Sequence, residues 1–423
     1  MERNDPRYQA YVEILKEELI PAMGCTEPIA LAYAAAKARE VLGVLPDSVQ
    51  LQVSGSIIKN VKSVIVPNTG HLKGMEAAVA AGIIAGSAEK ELEVISEVSE
   101  EKKSAIRDYL QTVPITIEHT EQGHVFDIVV TERCGQDYAR VRIADYHTNI
   151  CRIEKNGTVL YEVPLLDETV QEDARADRSL LNMQDIWDFA ETADLRDVAD
   201  LLERQIRYNN AIAEEGLLGD YGANIGRVLL TTYGNDVSNR AKAKAAAGSD
   251  ARMNGCELPV IINSGSGNQG ITCSVPLIEY AKELHSGKEK LYRALIISNL
   301  VAIHEKTGIG TLSAYCGAVS AGAGAGAGIV YLCGDGYQAA IHTVVNALAI
   351  VSGIVCDGAK ASCAAKIASS VDAALLGYNM YKCNQEFKGG DGIVMKDIET
   401  TIKGIGRLGK DGMRQTNEEI IRL

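Results

Sequence analysis

The sequence predicts an α+β protein, in which a mostly helical domain built from the N-terminal helices and the C-terminal half carries an inserted α+β domain. Two changes of pattern support this expectation. Up to about residue 45 apolar residues recur at helical spacing, between about Asp47 and Leu166 they alternate as in strands, and from about Asp173 helical spacing returns. The expected divisions are 1–45, 46–170 and 171–423, with the first and last forming one helical body.

The elements follow in order. Tyr8, Tyr11, Val12, Leu15 and Leu19 mark one face of an amphipathic helix that should stop near Pro21. In "PAMGCTEPIALA" Thr26 can cap, and Pro28 fits the first turn of, an alanine-rich helix running to about Gly43. The stretches "SVQLQVSGSIIKN", "VKSVIVP", "VPITIEHT" and "HVFDIVVTE" read as strands. Asn156-Gly157 between two alternating runs signals a hairpin. Helical patterns lie near 74–85 and 87–112. Beyond these, "DIWDFAETADLRDVADLLERQIRYNNAIAEEGL" has helical spacing, and the "AGAGAGAG" run at 321–328 suits close helix packing better than a membrane span.

A chain of 423 residues with 46% hydrophobic and 23% charged residues is long enough for two or three domains and a large core. Its net charge of −14 argues against a nucleic-acid surface and for a small-molecule or protein partner. The start "MERNDPRYQAY" has no basic segment followed by an apolar run, so a cytoplasmic location is expected, with no membrane association. Ten cysteines in such a chain are expected to stay reduced, which gives weight to metal or catalytic use.

Cys25 sits where a helix begins, and unpaired amides there favour thiolate over thiol. It is also small enough to be a buried packing residue. Cys316 in "SAYCGA" and Cys356 and Cys363 in "GIVCDGAKASCAAK" lack the tight spacing of a zinc site. Three cysteines from two segments suit an iron-sulfur cluster with one iron left open, although small buried residues in alanine-rich helices fit the spacing equally. The segment "NSGSGNQG" at 263–270 sets Asn263, Ser264, Ser266 and Asn268 among glycines, a composition suited to clasping a carboxylate or to a capped turn. Thr69 in "VPNTGHLKG" stands at a strand-to-helix turn that can bring an anion-binding helix start to the site. His304 and Lys306 lie within 12 residues of Cys316 and are minor acid–base candidates. Cys134, Cys151, Cys256, Cys273 and Cys383 read as packing residues, and Cys333 as a reserve ligand.

Taken together and in this order, "GCTEP", "NSGSGNQG", "SAYCGA" and "CDGAKASCAAK" resemble the cysteine desulfidase family, relatives of the α-chain of bacterial iron-sulfur serine dehydratases. The resemblance spans nearly the whole chain. It implies a four-iron four-sulfur (4Fe-4S) cluster held by Cys316, Cys356 and Cys363, release of sulfide, ammonia and pyruvate from L-cysteine, and a homo-oligomer acting on a small amino acid. The C-terminal cysteines lie closer together than in the serine dehydratases and "GCTEP" is additional, which leans the expectation from serine toward cysteine. In such a reaction Cys25 serves as the base for the α-proton or as a displaceable fourth ligand. Two rival classes remain: a pyridoxal-phosphate lyase anchored on Lys360 or Lys306, though no phosphate cup accompanies either, and a binding protein without cluster.

Overall fold

The computed structural model describes residues 1–120, 124–165, 175–310 and 312–423, so the expected boundary at 170 and 171 lies outside the described residues. Helix α1 (Pro6–Glu18) leads through strand β1 (Pro21–Met23) to helix α2 (Thr26–Leu42). Then come β2 (Ser48–Ser54), α3 (Gly55–Val61), α4 (Gly74–Ala85), α5 (Glu100–Thr112), β3 (Ile115–Thr120), β4 (Asp127–Cys134), β5 (Asp137–Ala144), β6 (Ile150–Lys155) and β7 (Thr158–Glu162). The helical part holds α6 (Met183–Thr192), α7 (Ala199–Leu218), α8 (Ile225–Tyr233), α9 (Val237–Met253), β8 (Pro259–Ile261) and α10 (Gly267–Glu283). It continues with α11 (Lys288–Ile309), α12 (Gly317–Cys333), α13 (Tyr337–Val351), α14 (Ser362–Lys382), α15 (Ile398–Arg407) and α16 (Arg414–Arg422). This is the α+β class expected, with helix predominant.

Strands β2 to β7 form one mixed sheet in the order β3-β2-β4-β5-β6-β7, parallel between β2 and β3 and antiparallel elsewhere. Val49, Leu51 and Val53 of β2 point to the buried face, as alternation requires. Asn156 and Gly157, at φ 50° and 80°, make the turn between β6 and β7. Helix α2 lies against β4, β5 and α4, and its alanines let the backbones meet closely: a Cβ on Gly82 of α4 would stand 2.1 Å from the Ala32 carbonyl oxygen. Helix α1 goes the other way, with the Tyr8 and Tyr11 rings edge-on to Phe189 of α6 at 5.1 and 5.4 Å. The first 45 residues thus serve both parts.

Three local expectations change. "GSIIKN" continues from β2 as helix α3, because Ile57 and Val61, four apart, share one buried side. "VKSVIVP" forms only a bridge between Ile65 and Lys73. The single helix expected over 87–112 is a short 3₁₀ turn, Ala88–Glu93, followed by α5, whose cap Ser99 accepts from the Lys102 amide.

The glycine-alanine run lies inside α12, at the centre of the helical part. A Cβ on Gly322 or Gly326 would stand 2.8 Å from Ser370 or Ala374 of α14, and one on Gly324 or Gly328 would stand 2.4 or 2.8 Å from the Ser298 or Ala294 carbonyl oxygen of α11. Alternate glycines therefore serve opposite neighbours. Among the described residues no helix is long and apolar enough to cross a membrane. On α11, Glu305 is 1% exposed and neither carboxyl oxygen has a hydrogen-bond partner, so burial pushes its pKa well above the usual range.

Gly324→Ala is expected to destabilise the protein by about 1–3 kcal/mol, whereas Gly353→Ala, where a Cβ meets nothing within 4 Å, should stay within about 0.5 kcal/mol; urea unfolding of both reads the difference. Folded Glu305 keeps a proton that the unfolded chain releases, so this group makes stability fall as pH rises above the ordinary glutamate pKa. Glu305→Gln removes that titration and should gain on wild type by up to about 1.4 kcal/mol per pH unit between about pH 5 and 7, measured by the same unfolding at each pH.

Candidate active site

Two very short antiparallel pairings assemble the site. In the first, Pro21, Ala22 and Met23 of β1 face Ile261, Val260 and Pro259 of β8. Asn209 of α7 grips this ladder, donating to the Ile261 carbonyl at 3.0 Å and accepting from its amide at 2.8 Å. Beyond β1 the chain turns at Gly24 (φ 52°) into Cys25, the N-cap of α2. Beyond β8 it turns at Ser264 and Gly265 (φ 49° and 76°) into α10. The Thr26 hydroxyl joins the two turns by donating to the Gly265 carbonyl at 2.9 Å.

In the second pairing Tyr315 bridges Val355. The Cys316 amide donates to Ile354 at 3.1 Å and the Cys356 amide to Ala314 at 2.6 Å, which sets these two cysteines on neighbouring strands. Cys316 is the N-cap of α12, and Cys363 lies in the first turn of α14. Helices α2, α10, α12 and α14 all begin here without a side-chain cap; at α14 the Cys363 and Ala364 amides already donate to the Lys360 and Ala361 carbonyls, whereas the start of α10 leaves first-turn amides for an anion. Between them is a cavity of about 110 Å³ whose wall includes Cys25, Lys306, Cys316, Cys356 and Cys363. Ser264, Ser266 and Asn268 complete it on the side of α10.

Cys25 is 3% exposed, and its thiol donates to Glu27 Oε2 at 3.0 Å. Burial raises the thiol pKa and the Glu27 charge raises it further, against an opposing pull from Arg252. The thiolate expected from the helix start is not the resting state here, because desolvation and a neighbouring anion outweigh the helix terminus. Glu27 also accepts from Thr26 Oγ1 at 3.2 Å and Asn60 Nδ2 at 2.9 Å, and lies 3.9 Å from His147 Nε2. Burial alone would favour its acid form, but His147 and the Cys25 thiol outweigh it and hold the carboxyl well below the usual range. At 3.9 Å the His147 contact is electrostatic, and Nε2 has no hydrogen-bond partner.

Other expected residues are placed differently. The Thr69 hydroxyl is consumed in its own turn, donating to Val66 at 2.7 Å and accepting from the Leu72 amide, so it does not reach the cavity. Its segment acts indirectly: Pro67 fills the space where a Cβ on Gly24 would stand, 2.8 Å away. Asn263 is fully buried, donates to Asn299 and accepts from Ser264 Oγ, which shapes the loop from behind. His304 projects from α11 to Glu399 at 2.8 Å, outside the cavity wall. Lys306, two residues on, lines the cavity and donates to the Gly310 carbonyl at 2.6 Å; burial lowers its pKa to about 8, although Cys356 and Cys316 pull it upward. Cys333 and Cys383 are not part of the wall, and Lys360 pairs with Asp357 at 3.2 Å. Glu27, Asn60, His147, Arg252 and Gln269 face the cavity without having been singled out from sequence. Only Glu27, two residues beyond Cys25 in "GCTEP", and Gln269, beside Asn268 in "NSGSGNQG", stood within a quoted motif.

Residues 89–422 match the family described as serine dehydratase alpha chain. The chain belongs to this family. It is 61% identical to a UPF0597 protein of Desulfitobacterium hafniense over 423 residues, covering 100% of this chain and 98% of the relative. A UPF0597 protein of Lachnoclostridium phytofermentans is 52% identical over 416 residues (98% and 99% covered), and one of Treponema denticola 46% over 428 (100% and 99%).

For a serine dehydratase alpha chain the donor set matters. Among the described residues no three His, Cys, Asp or Glu side chains gather as the ligands of a single metal ion would. Cys316, Cys356 and Cys363 are free thiols on one cavity wall, near enough that Cys356 and Cys363, after burial, help push the Cys316 pKa up to about 12. A polynuclear cluster takes one thiolate per iron rather than three on one ion, and this set fits that demand.

Glu27→Gln is expected to lower the Cys25 pKa by removing the anion beside it. The pH midpoint for alkylation of Cys25 by iodoacetamide should shift downward while exposed Cys383 keeps its own; peptide mass spectrometry over a pH series reads both.

Proposed function

We propose that the chain is a lyase that eliminates sulfide from L-cysteine, giving pyruvate, ammonia and hydrogen sulfide. The observation that carries this reading is the single cavity in which the Cys25–Glu27 pair, the Ser264–Asn268 turn and the three cysteines meet. Cys316, Cys356 and Cys363 would hold a 4Fe-4S cluster, which when bound supplies an open iron as a Lewis acid. The amides at the start of α10, with Ser264 and Ser266, orient the substrate carboxylate. Cys25, once ionised, takes the α-proton, with Glu27 fixing its sulfur in place through the hydrogen bond between them, and Lys306 is the second basic group on the same wall. Loss of the α-proton and of the β-sulfur leaves aminoacrylate, which tautomerises and hydrolyses to pyruvate and ammonia without further protein groups. The family name supports a second reading, dehydration of L-serine by the same steps with water as the leaving group.

Anaerobic reconstitution, iron and sulfide counts, and assays on both amino acids test the proposal. Cys316→Ser, Cys356→Ser and Cys363→Ser should each lose the cluster while Cys333→Ser and Cys383→Ser keep it; iron that survives all three substitutions sinks the ligand assignment. Cys25→Ala should retain iron and sulfide yet lose on the order of 10²-fold or more in kcat. Wild-type turnover in that variant would move the base to Lys306.

A further inference from the structure

Arg252 stands near the end of α9, one residue before Met253 closes that helix. It is 2% exposed, its Nε has no hydrogen-bond partner, and Nη1 reaches only Met253 Sδ at 4.0 Å. Among the described residues no carboxylate lies within 4.0 Å of it, although Glu27, Cys25 and Cys363 are near enough to act on it through space. The guanidinium runs directly beneath the 263–270 turn: a Cβ on Gly267 would stand 2.2 Å from Arg252 Nε. A guanidinium cannot shed its charge, and burying it without an anion is costly.

The same wall holds further buried polar atoms without partners. Asn268 Oδ1 and Gln269 Oε1 are both unpaired and belong to the first turn of α10. One unpaired cation and three unpaired amide oxygens around one cavity, those of Asn60, Asn268 and Gln269, are complementary to the two charges of a free amino acid. We propose that Arg252 is the carboxylate anchor of this site and that the Asn268 and Gln269 amide oxygens receive the ammonium. This rests on the reading of the cavity as an amino-acid site. Arg252 then determines specificity: an amino acid whose carboxylate is converted to an amide loses the charged partner and leaves the guanidinium buried alone.

The test uses L-alanine, which carries both charges but no leaving group, and its carboxamide. Binding to the reconstituted protein is read by calorimetry and thermal shift, so the result does not depend on turnover. Wild type should bind L-alanine about 10²-fold more tightly than L-alaninamide. Arg252→Gln should lose that preference and about 10²-fold in L-alanine affinity with iron and sulfide content unchanged, and Arg252→Lys should recover part of the loss. Equal binding of the two compounds by wild type, absence of L-alanine binding by wild type, or unchanged L-alanine affinity in Arg252→Gln each overturns the assignment; the wild-type comparison decides even where the variant does not fold. Selective L-alanine binding without turnover of cysteine or serine would leave the anchor standing and fail the elimination reading alone.

Discussion

The site depends on a ladder of three residues. Strands β1 and β8 come from sequence positions more than 230 residues apart, and their pairing sets the Cys25 turn against the Ser264–Gly265 turn. A two-stranded ladder this short has no stability of its own. It persists because Ala22, Met23, Val260 and Ile261 are buried and because Asn209 saturates the Ile261 backbone from α7. The Tyr315–Val355 bridge repeats the device for the cysteines. In both cases a pair of extended segments ends at helix starts, so backbone hydrogen bonds fix where first-turn amides point.

The helix starts also explain how a site rich in buried charge is tolerated. Glu27 is surrounded by donors from Cys25, Thr26 and Asn60, each compensating part of its lost hydration. The cost falls on Cys25, whose proton is held more firmly for being next to that anion. A helix terminus alone does not make a thiolate when burial and a closer negative charge oppose it.

Much of this was legible in sequence because it is local. The α+β alternation, the Asn156-Gly157 turn and helix α2 ending at Gly43 each depend on neighbours a few residues away, whereas the glycine-alanine run announces close packing by its composition but finds its neighbours on α11 and α14. α3 was misread because its two isoleucines look strand-like until the burial of Ile57 and Val61 on one side is known. Thr69 and His304 were plausible by type and nearness in sequence, but side-chain direction separates His304 from Lys306 across one helix. His147 and Arg252 had no local signature at all. They reach the cavity from a β-turn and a helix end, and only the tertiary arrangement brings them there.

The position of His147 makes the architecture less modular than its alternation of helix and strand suggests. This imidazole comes from the bend between β5 and β6 and packs edge-on to Phe126 at 4.7 Å. A Cβ on Gly265 would stand 2.9 Å from its ring. A glycine in the helical part and a histidine in the sheet part therefore share one space, like a tooth and its notch. Neither part can be exchanged for a counterpart of similar fold unless that bend keeps its length and path.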